Sequence, residues 1–280
     1  MHHSHIAFHR TLTGGPQLGW PETLVTAAQA GFDRIDIDLL QIPKADYPRA
    51  KDSLAQLGIQ AGVALLPAEF RGTEDRFSAD MQILAAQAAL AKSLGIRTMV
   101  RSLPPCADLP KPEYAKILKR RLRIIANTIQ QYDIRLALEF IGPIHLRTLR
   151  PYPFIWRMDE TLEFAAAVGA GTGLLIDAWH WHHIGATKQD ILSAGDMILN
   201  VQIADAAALP PEDIRDEQRL LPGQGCINFA EFFQALHTIG YQGFITPEVF
   251  GYHPEFADPV LAANQALTAS KDLLAKTWPT

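Results

Sequence analysis

The 280-residue chain is short of cysteine: Cys106 and Cys226 are its only two, and they stand far apart. That count excludes a disulfide scaffold, and the spacing excludes a thiolate zinc site, so a reducing, cytoplasmic setting is expected. The chain also lacks an unbroken apolar run of roughly 18 residues, the length that a membrane span requires. Its first residues, MHHSHIAFH, have no apolar signal core, and His2, His3 and His5 within them are assigned no function. Positive charge is scarce as well, with a formal net charge of −5 and one short basic run, KILKRRLR, at Lys116 to Arg123. Ile117, Leu118 and Leu122 within that run, with Ile124 and Ile125 just after it, recur at helical spacing, so its cations read as the solvated face of a helix. A protein that binds duplex nucleic acid would carry more positive charge, so neither nucleic acid nor membrane is an expected partner.

What the chain has in plenty is apolar residues, 48% against 20% charged, enough for a large core and far from the composition of a disordered chain. Short β-rich runs (HIAFHRT, RIDIDLL, IQAGVALLP, IRTMVRSLP, IRLALEFIG, GLLIDAWH, ILNVQIAD and FITPEVF) alternate with helical patterns. The predicted helices are Pro21 to Ala30, Tyr47 to Leu57, Ser78 to Leu94, Pro112 to Tyr132, Met158 to Val168, Lys188 to Ala194, Phe229 to Ile239 and Pro259 to Lys276. Several helices end in a Gly just before the next strand, as in AAQAGFDRIDI and LHTIGYQGFI, which marks the turn from helix to strand. About eight such units with no break in composition predict an α/β fold, a single-domain (β/α)₈ TIM barrel over residues 1–280. An open doubly wound sheet is the weaker reading, because no glycine-rich phosphate-binding fingerprint follows the first strand.

Alternation within the strands then assigns their faces. Glu139 stands opposite Leu138, Asp177 opposite Ile176, Gln202 between Val201 and Ile203, and Glu248 shares a face with Thr246. These polar residues fall near strand C-terminal ends, the active face of such a barrel, on four consecutive strands. Three carboxylates converging there without a basic partner would repel one another, and a divalent cation is the simplest resolution. The all-oxygen set of Glu139, Asp177, Gln202 and Glu248 favours Mn²⁺ or Mg²⁺, with Co²⁺ or Zn²⁺ left open.

The segments LALEF, IDAWHWH, VQIAD, PGQGCINFAEFFQALHTIGYQG and TPEVF together resemble the sugar-phosphate isomerase/epimerase group of xylose isomerase-like TIM barrels. The resemblance covers essentially the whole chain and is most specific after Glu139. It implies that Glu139, Asp177, Gln202 and Glu248 hold a divalent metal, with Gln202 a departure from the commoner His. It also implies that Glu139 and Glu248 are the catalytic acid/base pair, and that His180 and Arg219 hold substrate oxygens. The expected reaction is proton transfer next to the carbonyl of a sugar, sugar phosphate or polyol ketone, through an enediolate that a metal would stabilise. The expected partner is a small sugar or polyol, with self-association into a homodimer left open.

Around this core of assignments, Trp179 is placed at the pocket rim as an apolar wall for the substrate, while His182 and His183 are given surface or packing roles. Arg219 has a plainer alternative, pairing with Asp216 or Glu217. PGQG, at Pro222 to Gly225, reads as a tight turn closing over the site. His9, Arg10, Glu69 and Arg101, on the early strands, fall where substrate specificity would be set. Other readings are a metal-dependent dehydratase of the inosose or dehydroshikimate type, a non-catalytic binding protein, and an endonuclease IV-like nuclease. The nuclease is disfavoured by Gln202 and by the negative net charge.

Overall fold

The structure, a computed structural model, describes residues 5–13, 18–250 and 258–279; His2 and His3 lie outside these. Eight parallel strands form one sheet: β1 (Ala7–Phe8), β2 (Arg34–Ile37), β3 (Gln60–Leu65), β4 (Thr98–Ser102), β5 (Arg135–Glu139), β6 (Thr172–Asp177), β7 (Ile198–Ile203) and β8 (Ile245–Pro247). Each pairs with the next in chain order, and a parallel bridge from Ile6 to Ile245 brings the last strand back to the first. The (β/α)₈ barrel expected from the alternation is therefore the fold observed.

The outer layer contains α1 (Trp20–Gln29), α2 (Ala50–Gln56), α3 (Glu74–Ser93), α4 (Lys111–Gln130), α5 (Met158–Val168), α6 (Lys188–Ala194), α7 (Phe229–Thr238) and α8 (Pro259–Thr277). Expected and observed helix ends agree to within a few residues. The region around Tyr47 departs most, because Lys44–Arg49 is a 3₁₀ turn containing Pro48, which has no N–H to donate to a regular helix. The unforeseen elements include a short helix at Ile144–Arg147, an antiparallel pair of Cys106–Ala107 with Tyr152–Pro153, and a short helix at Ala178–His183 directly after β6. The Asp177 carboxylate starts the last of these by accepting the Trp179 backbone N–H at 2.9 Å.

Strand alternation divides the core in two. Ile35, Met99, Leu136, Leu138, Leu174, Ile176, Val201 and Ile203 join the large layer between sheet and helices, while Val63, Val100, Ala137 and Leu175 fill the barrel itself. Glu139 shares a face with Ala137 two residues earlier, and Asp177 with Leu175. The polar ends of β5 and β6 thus sit directly above an apolar plug. The register continues this layer sideways, with Ser102 beside Glu139, Asp177 beside Gln202, and Gln202 beside Thr246.

The basic run in α4 is mostly the solvated face that its spacing implied, with Lys116, Arg120 and Arg123 exposed, but Arg121 departs from it. Arg121 is buried and donates from Nη1 to Phe70 O (2.8 Å) and Gly72 O (2.7 Å), and from Nη2 to Glu74 (2.9 Å). Arg123 donates to the carbonyls of Ala167 and Val168, and Arg120 to Glu74. Pairs three and four residues apart share a helix face, but side chains as long as Arg reach past it to acceptors on neighbouring loops. Arg120, Arg121 and Arg123 thus fasten α4 to its neighbours from a face that stays largely exposed.

Candidate active site at the barrel mouth

Glu139 and Asp177 are the last residues of β5 and β6, Gln202 lies one residue from the end of β7, and Glu248 follows β8 directly. Backbone pairing alone therefore fixes all four at the strand C-terminal rim. Glu139, Gln202 and Glu248 line a cavity of about 370 Å³ together with His180 and Arg219, while Asp177 is fully buried and not part of the lining. That size lies within the range of roughly 300–1,000 Å³ usual for small-molecule sites.

The four do not meet as bare carboxylates. Arg219 enters the cluster from the loop after β7, donating from Nη1 to Asp177 Oδ2 at 2.6 Å, to Glu248 Oε2 at 3.2 Å and to the Glu248 carbonyl at 3.1 Å. Its Nε and Nη2 bind Asp216 at 3.0 and 2.8 Å. The expectation of carboxylates without a basic partner is thus corrected, since 42 residues of chain separation hid the Arg219–Asp177 pair. Of the plainer partners considered for Arg219, Asp216 is the one bonded. The guanidinium also lies 4.7 Å from the centre of the Trp179 ring. Trp179 is fully buried and does not line the cavity. Its expected place at the rim is corrected, because the indole is buried against the Arg219 guanidinium.

One guanidinium does not neutralise what it touches. Burial, then the charges of Glu248 and Asp177, pushes Glu139 well above the usual carboxylate range. Burial raises Asp177 to about 6 and also raises Glu248, in each case against the pull of Arg219. Burial, together with Arg219 and His183, drives His180 well below its ordinary range, so its imidazole is neutral. The Gly142 backbone N–H lies 3.4 Å from its Nδ1, and its Nε2 lies 3.3 Å from Arg219 Nη2 and 3.7 Å from Glu139 Oε1. His9, likewise kept neutral by burial, approaches Glu248 Oε1 at 3.5 Å.

Two oxygens in this layer, Glu139 Oε1 and Gln202 Oε1, are buried and find no hydrogen-bond partner among the described residues. Such atoms are usually satisfied by water, a cation or a ligand. One ligating atom each from Glu139, Asp177 and His180 lies within 4.8 Å of the others. Carboxylate and amide oxygens with one neutral imidazole form a donor set that suits a hard or borderline divalent ion, so the residues fit a metal. His180 was expected as a substrate contact, and the geometry also places it with the ligating group. His183 packs edge-on against Trp179 at 4.2 Å, and half-buried His182 lies 3.7 Å from Cys226 Sγ.

Two residues that the sequence reading left without a role organise the mouth. Asp205, just past β7, accepts backbone N–H groups from Ala206, Gly223, Gly225 and Ile227 at 2.8–3.0 Å, and its own backbone pairs with Leu220. It thereby shapes the turn at Pro222–Gly225 and the segment that carries Arg219. A Cβ at Gly225 would collide with the Ala206 carbonyl and the Asp205 carboxylate, so this close approach demands glycine. Asp36, inside the barrel, accepts from Val63 N at 3.0 Å and Thr246 Oγ1 at 2.9 Å, and burial raises it to about 7. An Asp near a strand end with a Gly-rich turn some 20 residues later was the available signal for Asp205.

The family model "Xylose isomerase-like TIM barrel" matches residues 24–275. An inosose isomerase of Halalkalibacterium halodurans is 29% identical over 181 residues, covering 61% of this chain and 60% of that protein. The alignment thus spans about three-fifths of the length of the curated relatives that match first. A xylose isomerase domain protein from Alicyclobacillus acidocaldarius superposes with a TM-score of 0.88 at 26% identity, over 97% of this chain and 98% of that one. The IOLI protein, solved with a bound zinc atom, superposes with a TM-score of 0.78 at 21% identity, over 99% of this chain and all of that one, a likeness of fold.

Proposed function

We infer function from a family and a site together: the chain belongs to the xylose isomerase-like TIM barrel family, and we propose that it is a divalent-metal-dependent isomerase or epimerase of a sugar, sugar phosphate or related polyol ketone. The observation that carries this reading is the pair of buried, unpartnered oxygens, Glu139 Oε1 and Gln202 Oε1, in the layer where Asp177 and Glu248 hold the rest of the charge. Glu139, Asp177, Gln202 and Glu248 would hold the ion, with His180 beside Glu139. Mn²⁺ or Mg²⁺ suits the oxygen-rich set best. A bound divalent ion would supply the positive charge that a substrate carbonyl needs while its neighbouring C–H loses a proton.

The remaining chemistry belongs to the side chains. Glu139 and Glu248 come from opposite ends of the run β5 to β8 and face one cavity, so each can hold or return a proton on its own side of a substrate. Burial raises both carboxyls, the direction that favours their taking up a proton. Use of both inverts a carbon centre, whereas use of one isomerises. Neutral His180 would hold a substrate oxygen, Arg219 would keep Asp177 and Glu248 in place around it, and the plug of Val63, Val100, Ala137 and Leu175 forms the cavity floor.

The test is deuterium incorporation next to the carbonyl of a panel of ketoses, ketose phosphates and inososes in heavy water, with the protein loaded with Mn²⁺. Incorporation that disappears on chelation and falls by about 10³-fold or more in Glu139→Gln and Glu248→Gln is expected. Glu248→Gln should leave the melting temperature nearly unchanged, since it removes a repulsive charge and keeps the shape. No incorporation across the panel, or full incorporation by Glu248→Gln, overturns the reading.

A further inference from the structure

The part of the cavity lined by the early strands carries a cluster of arginines that the proton-transfer chemistry does not use. Its lining includes Arg10, Arg71 and Arg101, from three different segments of the first half of the barrel. Their counter-charges are few. Glu69 takes a two-point bond from Arg71, Nε to Oε1 at 2.8 Å and Nη2 to Oε2 at 2.7 Å, and its Oε2 also accepts from Arg101 Nη2 at 3.1 Å. Asp38 faces Arg10 at 3.5 Å. Three guanidinium groups thus share two carboxylates. Asp38 lines the cavity beside Arg10, whereas Glu69 is not part of the lining, so Arg71 and Arg101 face the cavity with their balancing charge behind them.

This end is also built. Arg121 holds the carbonyls on either side of Arg71, those of Phe70 and Gly72, and so fixes the loop from a buried position in α4. Arg101 Nε is buried and finds no hydrogen-bond partner among the described residues, a strong donor left over. Ser102, next in the strand, lines the cavity too and pairs in register with Glu139, which places the arginine end on the strand adjacent to the proposed metal layer.

We propose that the substrate is an anion, with a carboxylate or phosphate monoester group seated on Arg71 and Arg101 while its carbonyl end reaches the carboxylate layer. This deepens the isomerase or epimerase reading and rests on it for the cavity's being the substrate site. Guanidinium groups suit the role because their planar forks donate two parallel hydrogen bonds to an oxyanion. The arrangement divides recognition from chemistry: one end takes a cation, the other an anion, and a short hydroxyketone carrying an acidic group is complementary to both.

The test is calorimetric titration of the full chain with inorganic phosphate, with glycerate and with glycerol, before any metal is added. Saturable binding of at least one anion and none of glycerol is expected, weakened about ten- to a hundredfold in Arg101→Gln and Arg71→Gln. Arg101→Lys and Arg71→Lys, which keep the charge and lose the fork, should fall between, and guard against a loss that reflects misfolding. Binding of phosphate alone identifies a phosphorylated substrate, and binding of glycerate alone a sugar acid or keto acid. Equal anion binding by the Gln variants, tighter binding of glycerol, or no saturable binding of either anion overturns the proposal. Mn²⁺ binding measured on the same variants should match that of the unaltered protein. A lost anion site with an intact metal site, or the reverse, therefore separates this inference from the metal reading.

Discussion

The two halves of the barrel mouth handle charge in opposite ways. After β4 the charges are dry and interlocked: the Arg219 side chain is 1% exposed and bonded to Asp177, Glu248 and Asp216 together. Before β5 they are wetter and more loosely paired, with the side chains of Arg101 and Arg71 22% and 31% exposed around Glu69. Desolvated charges act strongly on one another and on a reacting group, but they cannot rearrange at small cost. Half-wetted pairs contribute little to stability and can trade partners for a ligand. The late half is thus suited to invariant chemistry, and the early half to recognition of a particular substrate.

Removing one cation from each half tests that contrast most strongly. Arg219→Gln leaves Asp177, Asp216 and Glu248 without their shared donor and should cost about 3–5 kcal/mol in denaturant unfolding. Added Mn²⁺ should restore part of the loss. Arg101→Gln should cost less than about 1 kcal/mol. Similar costs for the two substitutions would erase the distinction between the halves.

A smaller effect is expected where the late half is held in place. Asp205→Ala removes the acceptor of four backbone N–H groups and should cost about 2–4 kcal/mol. Deuterium incorporation should fall with it, because the turn positions Arg219. A folded Asp205→Ala protein with full activity would show that Arg219 is positioned without this turn.

The smallest effect concerns Asp36, which links the two halves through Thr246. Its carboxyl is raised from 3.8 to about 7, so its charged form is disfavoured in the fold. Its contribution to stability is whole below about pH 4 and is lost as pH rises through about 7. Asp36→Asn, of the same shape and always neutral, should therefore be more stable than the unaltered protein above about pH 7. The advantage, about 1–2 kcal/mol after allowance for the cavity's solvent, should close as pH falls toward 4. A constant difference across that range would remove Asp36 as a buried titrating group.

The same contrast explains what could be read from the sequence. Barrel order and the placement of Glu139, Asp177, Gln202 and Glu248 were legible because both rest on local periodicity: alternation puts an in-facing carboxylate at the end of a strand whose other face is apolar. The burial of Trp179, the pairing of Arg219 with Asp177, and the clamp from Arg121 to Phe70 and Gly72 join residues distant in the chain, which no local pattern encodes. Asp205 sat in plain view within VQIAD, yet its function depends on a turn 18 to 22 residues later. In the early half, Glu69 and Arg101 stood where specificity is set, but their shared pairing with Arg71 required the loop geometry that α4 imposes.

The central claim is that the late half of the mouth holds one divalent ion. Protein stripped of metal by chelation and dialysis, then titrated with Mn²⁺, should bind one equivalent per chain and melt at a higher temperature. Both effects should be lost in Glu139→Gln and Asp177→Asn. Absence of a stoichiometric ion, with no thermal shift on adding Mn²⁺, Mg²⁺, Co²⁺ or Zn²⁺, would contradict the account.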